Sequence, residues 1–354
     1  MGKKLSLVLA TALLVFFTYS ASDAAEVIKL KFANFFPPTH KHSTLFEKFC
    51  EDIKKRTGGQ VEVSYYPGGQ LLSAPKMAAG VATGIADIGL SHCGYTRGRF
   101  PVMEVMELPL GYPSGYIGTY AATDFYEKFK PKEWDSYHPL MFVTGAPCII
   151  MTVSKPIRTL EDLKGQKIRG TGRIGDLIKA LGGVPVPVEM IDMYESLRRG
   201  MLEGTFTAAE TMKGWKLGEL VRYATTCWQV GASYTFYVAM NKDKWNALPA
   251  DIKKVFDETS KEYRYKFAVQ WNEVDIEGVE FLKSQGGQLI PLSDAEAVKW
   301  VNAAQPVIAD FKKDLVPKGY TEKEVDAWLA FTKERIEYWK GQEKANNLPR
   351  AYQY

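Results

Sequence analysis

The chain has 354 residues, 46% of them apolar and 13% aromatic, with 45 basic and 41 acidic side chains. That length and apolar share suit two domains with real cores, and so mild a charge excess argues against a nucleic-acid partner. There are four cysteines and no C-x-x-C, which removes the support for a zinc or redox site.

In chain order, Lys3 and Lys4 precede an apolar run from Leu5 to Tyr19, then small residues around Ser22, Asp23 and Ala24. This is the pattern of a secretory signal peptide, residues 1–24, and the run is shorter than the ~20 residues that span a bilayer. Cleavage after Ala24 leaves 43 basic and 40 acidic residues in an exported, soluble chain with no later membrane span. "VIKLKFA" (27–33) alternates as a strand and ends at the loop "NFFPPTH". A helix follows from Ser43 to Arg56, then the strand "VEVSYYP" (61–67), a helix near Lys76 to Thr83, and the buried strand "ADIGLSH" (86–92). This alternation predicts an α/β domain with a parallel core sheet.

The alternation then restarts. Strands are expected at 140–145 and 148–154, at "KIRG" (167–170), at "VPVPV" (184–188) and at "GTFTAA" (204–209), with helices at 175–181 and 193–199. "ASYTFYVAMNK" (232–242) is long enough to cross between domains. After Leu248-Pro249 a charged helical pattern runs from Ala250 almost to Gly286. A helix of ~50 Å can lie along both domains and tie them together. The tail from Ser293 reads as largely helical. The expected boundaries are 25–150 plus 238–275 for the first lobe, and 151–237 plus 276–354 for the second lobe and C-terminal helices.

Few residues carry recognisable chemistry. There is no nucleophile elbow, Walker lysine loop or H-E-x-x-H pair. "GTGRIG" (170–175) matches G-x-G-x-x-G, but it lies mid-chain, Arg173 intrudes, and Glu189 is the sole ribose-binding candidate, so a dinucleotide site is not supported. His40, on the loop after the first strand, and His92, ending another strand, face the sheet end where ligands usually bind. No third metal ligand accompanies them. Cys50, Cys93, Cys148 and Cys227 allow either one disulfide or four buried thiols in an oxidising compartment.

Three segments together, "SKPIRTLEDLKGQKIRG", "LIKALGGVPVPVEM" and "MYESLRRGMLEGT", resemble the substrate-binding (DctP-like) subunits of tripartite ATP-independent periplasmic (TRAP) transporters. "FPPTHKHS", "TGGQVEVSYYPGGQL", "GVATGIADIGL" and "MNKDKWNALP" extend the resemblance over nearly the whole mature chain. It implies a two-lobed periplasmic-binding-protein fold of the α/β class that closes on a small organic acid. It also implies a periplasmic location and delivery to small and large membrane subunits driven by an ion gradient, with no cofactor, no metal and no catalysis, in a monomer or weak dimer.

The resemblance places the carboxylate contact on Arg169. A guanidinium independently suits that role, because its planar fork matches two carboxylate oxygens. Gly170 and Gly172 let backbone approach the ligand, Thr171 between them is a further substrate-binding candidate, and Arg173 adds positive potential from the next helix. Two family features are absent: an arginine in the strand now reading "APCIIMTVS", and an asparagine near Thr207. The pocket thereby gains apolar surface, with Phe35, Phe36, Tyr95, Phe206, Trp215 and Tyr234 near the expected cleft and Thr211 beside it. Burying a ring of ~150 Å² contributes about 4 kcal/mol, comparable with the lost polar contacts. The expected cargo is a hydrophobic or aromatic carboxylate or 2-oxo acid. The competing readings are a receptor for small dicarboxylates or sugar acids, and an exported enzyme acting on an organic acid.

Overall fold

A computed structural model describes residues 26–352; the leader expected over residues 1–24 lies outside them. Eleven strands form two sheets among the described residues. The first contains β1 (Ile28–Asn34), β2 (Val61–Tyr66), β3 (Ile88–His92), β4 (Tyr137–Thr144) and β10 (Thr235–Asn241), in the order β2-β1-β3-β10-β4. The second contains β5 (Ile149–Thr152), β6 (Lys167–Arg169), β7 (Val184–Val186), β8 (Gly204–Thr207), β9 (Tyr223–Thr226) and β11 (Gln288–Pro291), in the order β11-β9-β5-β8-β6-β7. Each sheet with its helices makes one lobe of the two-lobed α/β periplasmic-binding-protein fold.

The apolar pattern explains the strands. β1 buries Leu30, Phe32 and Ala33 and pairs in parallel with β2 and β3. β10 is buried throughout and runs antiparallel between β3 and β4, so both of its faces must be apolar. It begins at Thr235, three residues later than the sequence pattern implied. The peptide groups of residues 232–234 instead join the crossing between lobes: Cys148 N–H donates to the Ala232 carbonyl at 2.8 Å and Gly145 N–H to that of Tyr234 at 3.0 Å.

The long helix spans Ala250–Ser284, 35 residues, or about 50 Å. Phe256, Tyr263, Phe267 and Trp271 form its buried face. It packs on the first lobe through the helices Lys41–Arg56 and Gly115–Phe129, and on the second through the short helix Thr211–Gly214. One rigid element therefore touches both lobes. The tail then forms helices Asp294–Leu315 and Glu322–Ala345. The first lies on the second-lobe helix Gly172–Ala180, and the other returns to Gly115–Phe129 of the first lobe. There Asp124 accepts from Arg335 Nε and Trp339 Nε1, both at 2.7 Å.

All four cysteines are free and buried, which decides between the two sequence readings in favour of thiols.

Candidate functional site

Arg169 ends β6, where the parallel strands β7 and β8 flank it. It is 1% exposed. Its Nε donates to the Val188 carbonyl at 2.9 Å, Nη1 to the Tyr234 hydroxyl at 3.3 Å and Nη2 to the Tyr95 hydroxyl at 3.1 Å. All three acceptors are neutral, and no carboxylate lies within ion-pair distance of Arg169 among the described residues. A buried cation without a counter-ion is costly.

The two phenols are oriented by what they accept. Tyr95 also receives the backbone N–H of Met190 at 2.9 Å, and Tyr234 that of Thr171 at 3.2 Å. With two donors on each oxygen, what remains is each O–H, free to donate. Burial pushes the Tyr234 hydroxyl up to about 12, so that proton stays in place at neutral pH. One hydrogen on each of Nη1 and Nη2 is likewise unused. The unused groups on Arg169 and the two phenols are thus all donors, which suits an anion.

His92 stands against both phenols, its ring centroid 3.9 Å from Tyr95 and 4.6 Å from Tyr234. Burial, and then the charge of Arg169, hold it well below the usual imidazole value, so it adds a neutral polar edge. Behind it, Glu107 accepts the N–H groups of Gly94 and Thr235 at 3.2 and 3.4 Å and is pushed up to about 8 by burial.

Opposite the arginine the walls are rings. Phe36 packs between Phe35, Phe236 and Trp215 at centroid distances of 4.6, 5.7 and 5.7 Å. Thr207, Thr211 and Glu210 also line the cavity. Glu210 Oε2 meets His40 Nε2 at 2.9 Å, joining the second lobe to the first. The space at the centre is about 20 Å³, room for about one water. A ring-sized ligand therefore enters when the lobes part or the aromatic side chains turn.

Most of the residues singled out from the sequence converge here: Arg169, Phe36, His92, Tyr95, Thr207, Thr211, Trp215 and Tyr234 line one cavity, with His40 one contact behind. Thr171 and Gly172 wall an outer cleft of about 520 Å³ that shares Tyr95 with the cavity. Two expectations are corrected. Arg173 does not turn toward the cavity: Nε goes to Glu104 at 2.8 Å and Nη1 to Asp314 at 2.7 Å and Asp176 at 3.3 Å, so its charge is already balanced. Phe206 is fully buried in β8; neighbours in a strand face opposite ways, and Thr207 takes the cavity side. Sequence reasoning missed Met190, Phe236 and Glu210. Only Glu210 carried a signal, as a lone acid in the stretch "TFTAAET".

Among the described residues no group of three or more His, Cys, Asp or Glu could hold a metal ion, and no helix is long and apolar enough to cross a membrane.

With this geometry the chain matches the sequence profile of the bacterial extracellular solute-binding proteins of family 7, DctP, over residues 32–314. It belongs to that family, the solute-binding proteins of TRAP transporters, and is a carboxylate receptor, not an enzyme. Among solved structures it resembles a TRAP periplasmic solute-binding protein of Desulfovibrio salexigens, 33% identical, covering 89% of this chain and 97% of that one with a TM-score of 0.77. It also resembles a TRAP solute-binding protein from an unidentified marine microbe, described as specific for aromatic acids and bound to 3-hydroxybenzoate. That protein is 26% identical, with coverage of 89% and 99% and a TM-score of 0.82. The C4-dicarboxylate-binding periplasmic protein of Rhodobacter capsulatus is 26% identical over 85% of this chain and 91% of its own.

Proposed function

We propose that this receptor carries a monocarboxylate with an apolar, ring-sized body, of the aromatic or 2-oxo acid kind. The observation that carries the reading is the buried Arg169, which has three neutral acceptors and no counter-ion among the described residues. The ligand's carboxylate supplies the missing charge, held by the two free guanidinium hydrogens and the phenol protons of Tyr95 and Tyr234. Its body lies among Phe35, Phe36, Phe236 and Trp215. The aromatic-acid specificity of the marine neighbour supports this choice. Residues 1–24 direct export, and the loaded, closed receptor passes its cargo to the small and large membrane subunits of a TRAP permease.

A thermal-shift screen of the mature protein tests the reading. Benzoate, phenylpyruvate and branched 2-oxo acids are set beside succinate, malate, glucuronate and sialic acid. At a hundred times its dissociation constant a ligand stabilises by about 2.7 kcal/mol, enough to read. A shift with the hydrophobic acids that is lost in Arg169→Ala supports it. Shifts confined to dicarboxylates or sugar acids would replace the cargo and keep the receptor. Conversion of any acid during incubation would bring back the enzyme reading.

A further inference from the structure

We propose that Glu210 selects among the acids that reach Arg169, by hydrogen-bonding a hydroxyl on the ligand's body at the end remote from its carboxylate. The inference rests on the reading of Arg169 given above.

Glu210 is 4% exposed. It follows β8, and its backbone N–H is fixed by Asp275 Oδ1 of the long helix at 2.9 Å. It lines the same cavity as Arg169, with Thr207 and Thr211 also on that wall. Ring contacts run from Tyr95, on Arg169, through Phe35 and Phe36 to His40, on Glu210, so a ring-bodied ligand with its carboxylate on the arginine extends along them toward this acid.

The hydrogen-bond pattern says which oxygen is available. His40 Nδ1 accepts the backbone N–H of His42 at 3.1 Å, so that nitrogen carries no proton. Burial brings His40 down to about 3, leaving the ring neutral with its one proton on Nε2. That proton is donated to Glu210 Oε2 at 2.9 Å. Gly214 covers the same atoms from outside: a Cβ there would sit 2.3 Å from His40 Nε2 and 2.9 Å from Oε2. Oε2 is thus spoken for, and Oε1 has no hydrogen-bond partner among the described residues.

The chemistry of Oε1 points to a hydroxyl. Burial pushes Glu210 up to about 8, so at neutral pH the acid holds a proton; Oε2 already receives one from His40, which leaves Oε1 to carry it. As an acid Oε1 donates, and as a carboxylate it accepts. A hydroxyl serves either form. A bare ring edge or a methyl serves neither and would cover Oε1 without pairing it, the situation in which sites discriminate most strongly.

The test is calorimetric titration of the mature protein with benzoate, 3- and 4-hydroxybenzoate, and the 3- and 4-methyl isosteres. At least one hydroxy acid should bind tenfold or more tightly than its methyl counterpart, and in Glu210→Leu that ratio should fall to within about twofold. Equal binding of the isosteres by the wild type, or a ratio that survives in Glu210→Leu, overturns the assignment. Should Glu210→Leu not fold, Glu210→Met decides on the same reading: a ratio that falls to within about twofold supports the role, and one that survives overturns it. Failure of the hydroxyl preference with benzoates still bound in an Arg169-dependent way removes Glu210 alone. Absence of binding by every benzoate removes the aromatic reading together with it.

Discussion

Arg97 and Asp176 face each other across the lobes as a two-pronged ion pair, Nη1 to Oδ1 at 2.8 Å and Nη2 to Oδ2 at 2.7 Å. Beneath them Arg173 meets Glu104 at 2.8 Å with both side chains 2% exposed, whereas Arg97 is half-exposed. The two contacts join the same segments, the chain after β3 and the helix after β6, yet solvent makes them unequal. Arg97→Ala should cost under about 1 kcal/mol in urea unfolding. Glu104→Ala leaves the buried Arg173 with fewer partners and should cost about 2–4 kcal/mol. Equal losses would show that burial does not rank these pairs.

Arg169 predicts an inversion of the usual mutational outcome. It has no anionic partner to strand, so Arg169→Met should abolish acid binding and still raise the stability of the free protein by about 1–3 kcal/mol. Arg169→Lys should also bind poorly, because an ammonium cannot reach two oxygens at once. Unfolding curves and titrations on both variants check this; a free protein destabilised by the methionine would contradict the account.

Gly172 sits at φ +55°, and a Cβ there would lie 2.5 Å from the Gly94 Cα of the other lobe. That distance involves backbone and cannot relax cheaply. Gly172→Ala should therefore weaken ligand binding tenfold or more by blocking close approach of the lobes. Small-angle scattering should show the variant keeping a larger radius of gyration in saturating ligand than the wild type does.

The pH response has a definite sign. Burial raises Glu107, Glu210 and Asp275 to about 8, above the unfolded carboxyl value. The folded state then holds protons the unfolded chain has released, and stability falls as pH rises from the unfolded value through 8. His40 and His138, lowered by burial to about 3 and about 4, act oppositely, but their contribution is complete above about 6.5. Between pH 6.5 and 8.5 only the carboxyl slope remains, so unfolding free energy should decline there. Glu107→Gln should remove about 2 kcal/mol of that decline.

The thiols make a simpler case. Cys50, Cys93, Cys148 and Cys227 are buried without a disulfide, and burial pushes Cys227 up to about 12. The native protein should react with no equivalents of an aromatic disulfide reagent and the denatured protein with four, while a reductant should leave its melting temperature unchanged.

What could be read in advance divides along the range of the interactions. The long helix was legible almost to its ends, because it is a local pattern bounded by Pro249 and Gly286. Arg169 was singled out through the family resemblance of a stretch whose short strand, arginine and glycine turn are neighbours in the chain. Arg173 was not: its partners Glu104 and Asp314 lie 69 and 141 residues away, and no local feature announces them. The pairing of His40 with Glu210 spans 170 residues for the same reason. Phe206 failed on parity, since in a four-residue strand one step of register decides between core and cavity. β9 and β11 are four residues each, and the polar "YATT" carries little apolar alternation to reveal it.

A cation enclosed by aromatic walls and unpaired by the protein does not distinguish cargo from solvent anions by charge alone. If Arg169 holds the cargo as proposed, acetate, formate and chloride should compete for the same donors, each at a concentration set by the experimenter. Dissociation constants for this receptor should then depend on buffer composition as well as on ligand. Comparisons between acids hold only when the background anion is bulky, hydrated and the same throughout.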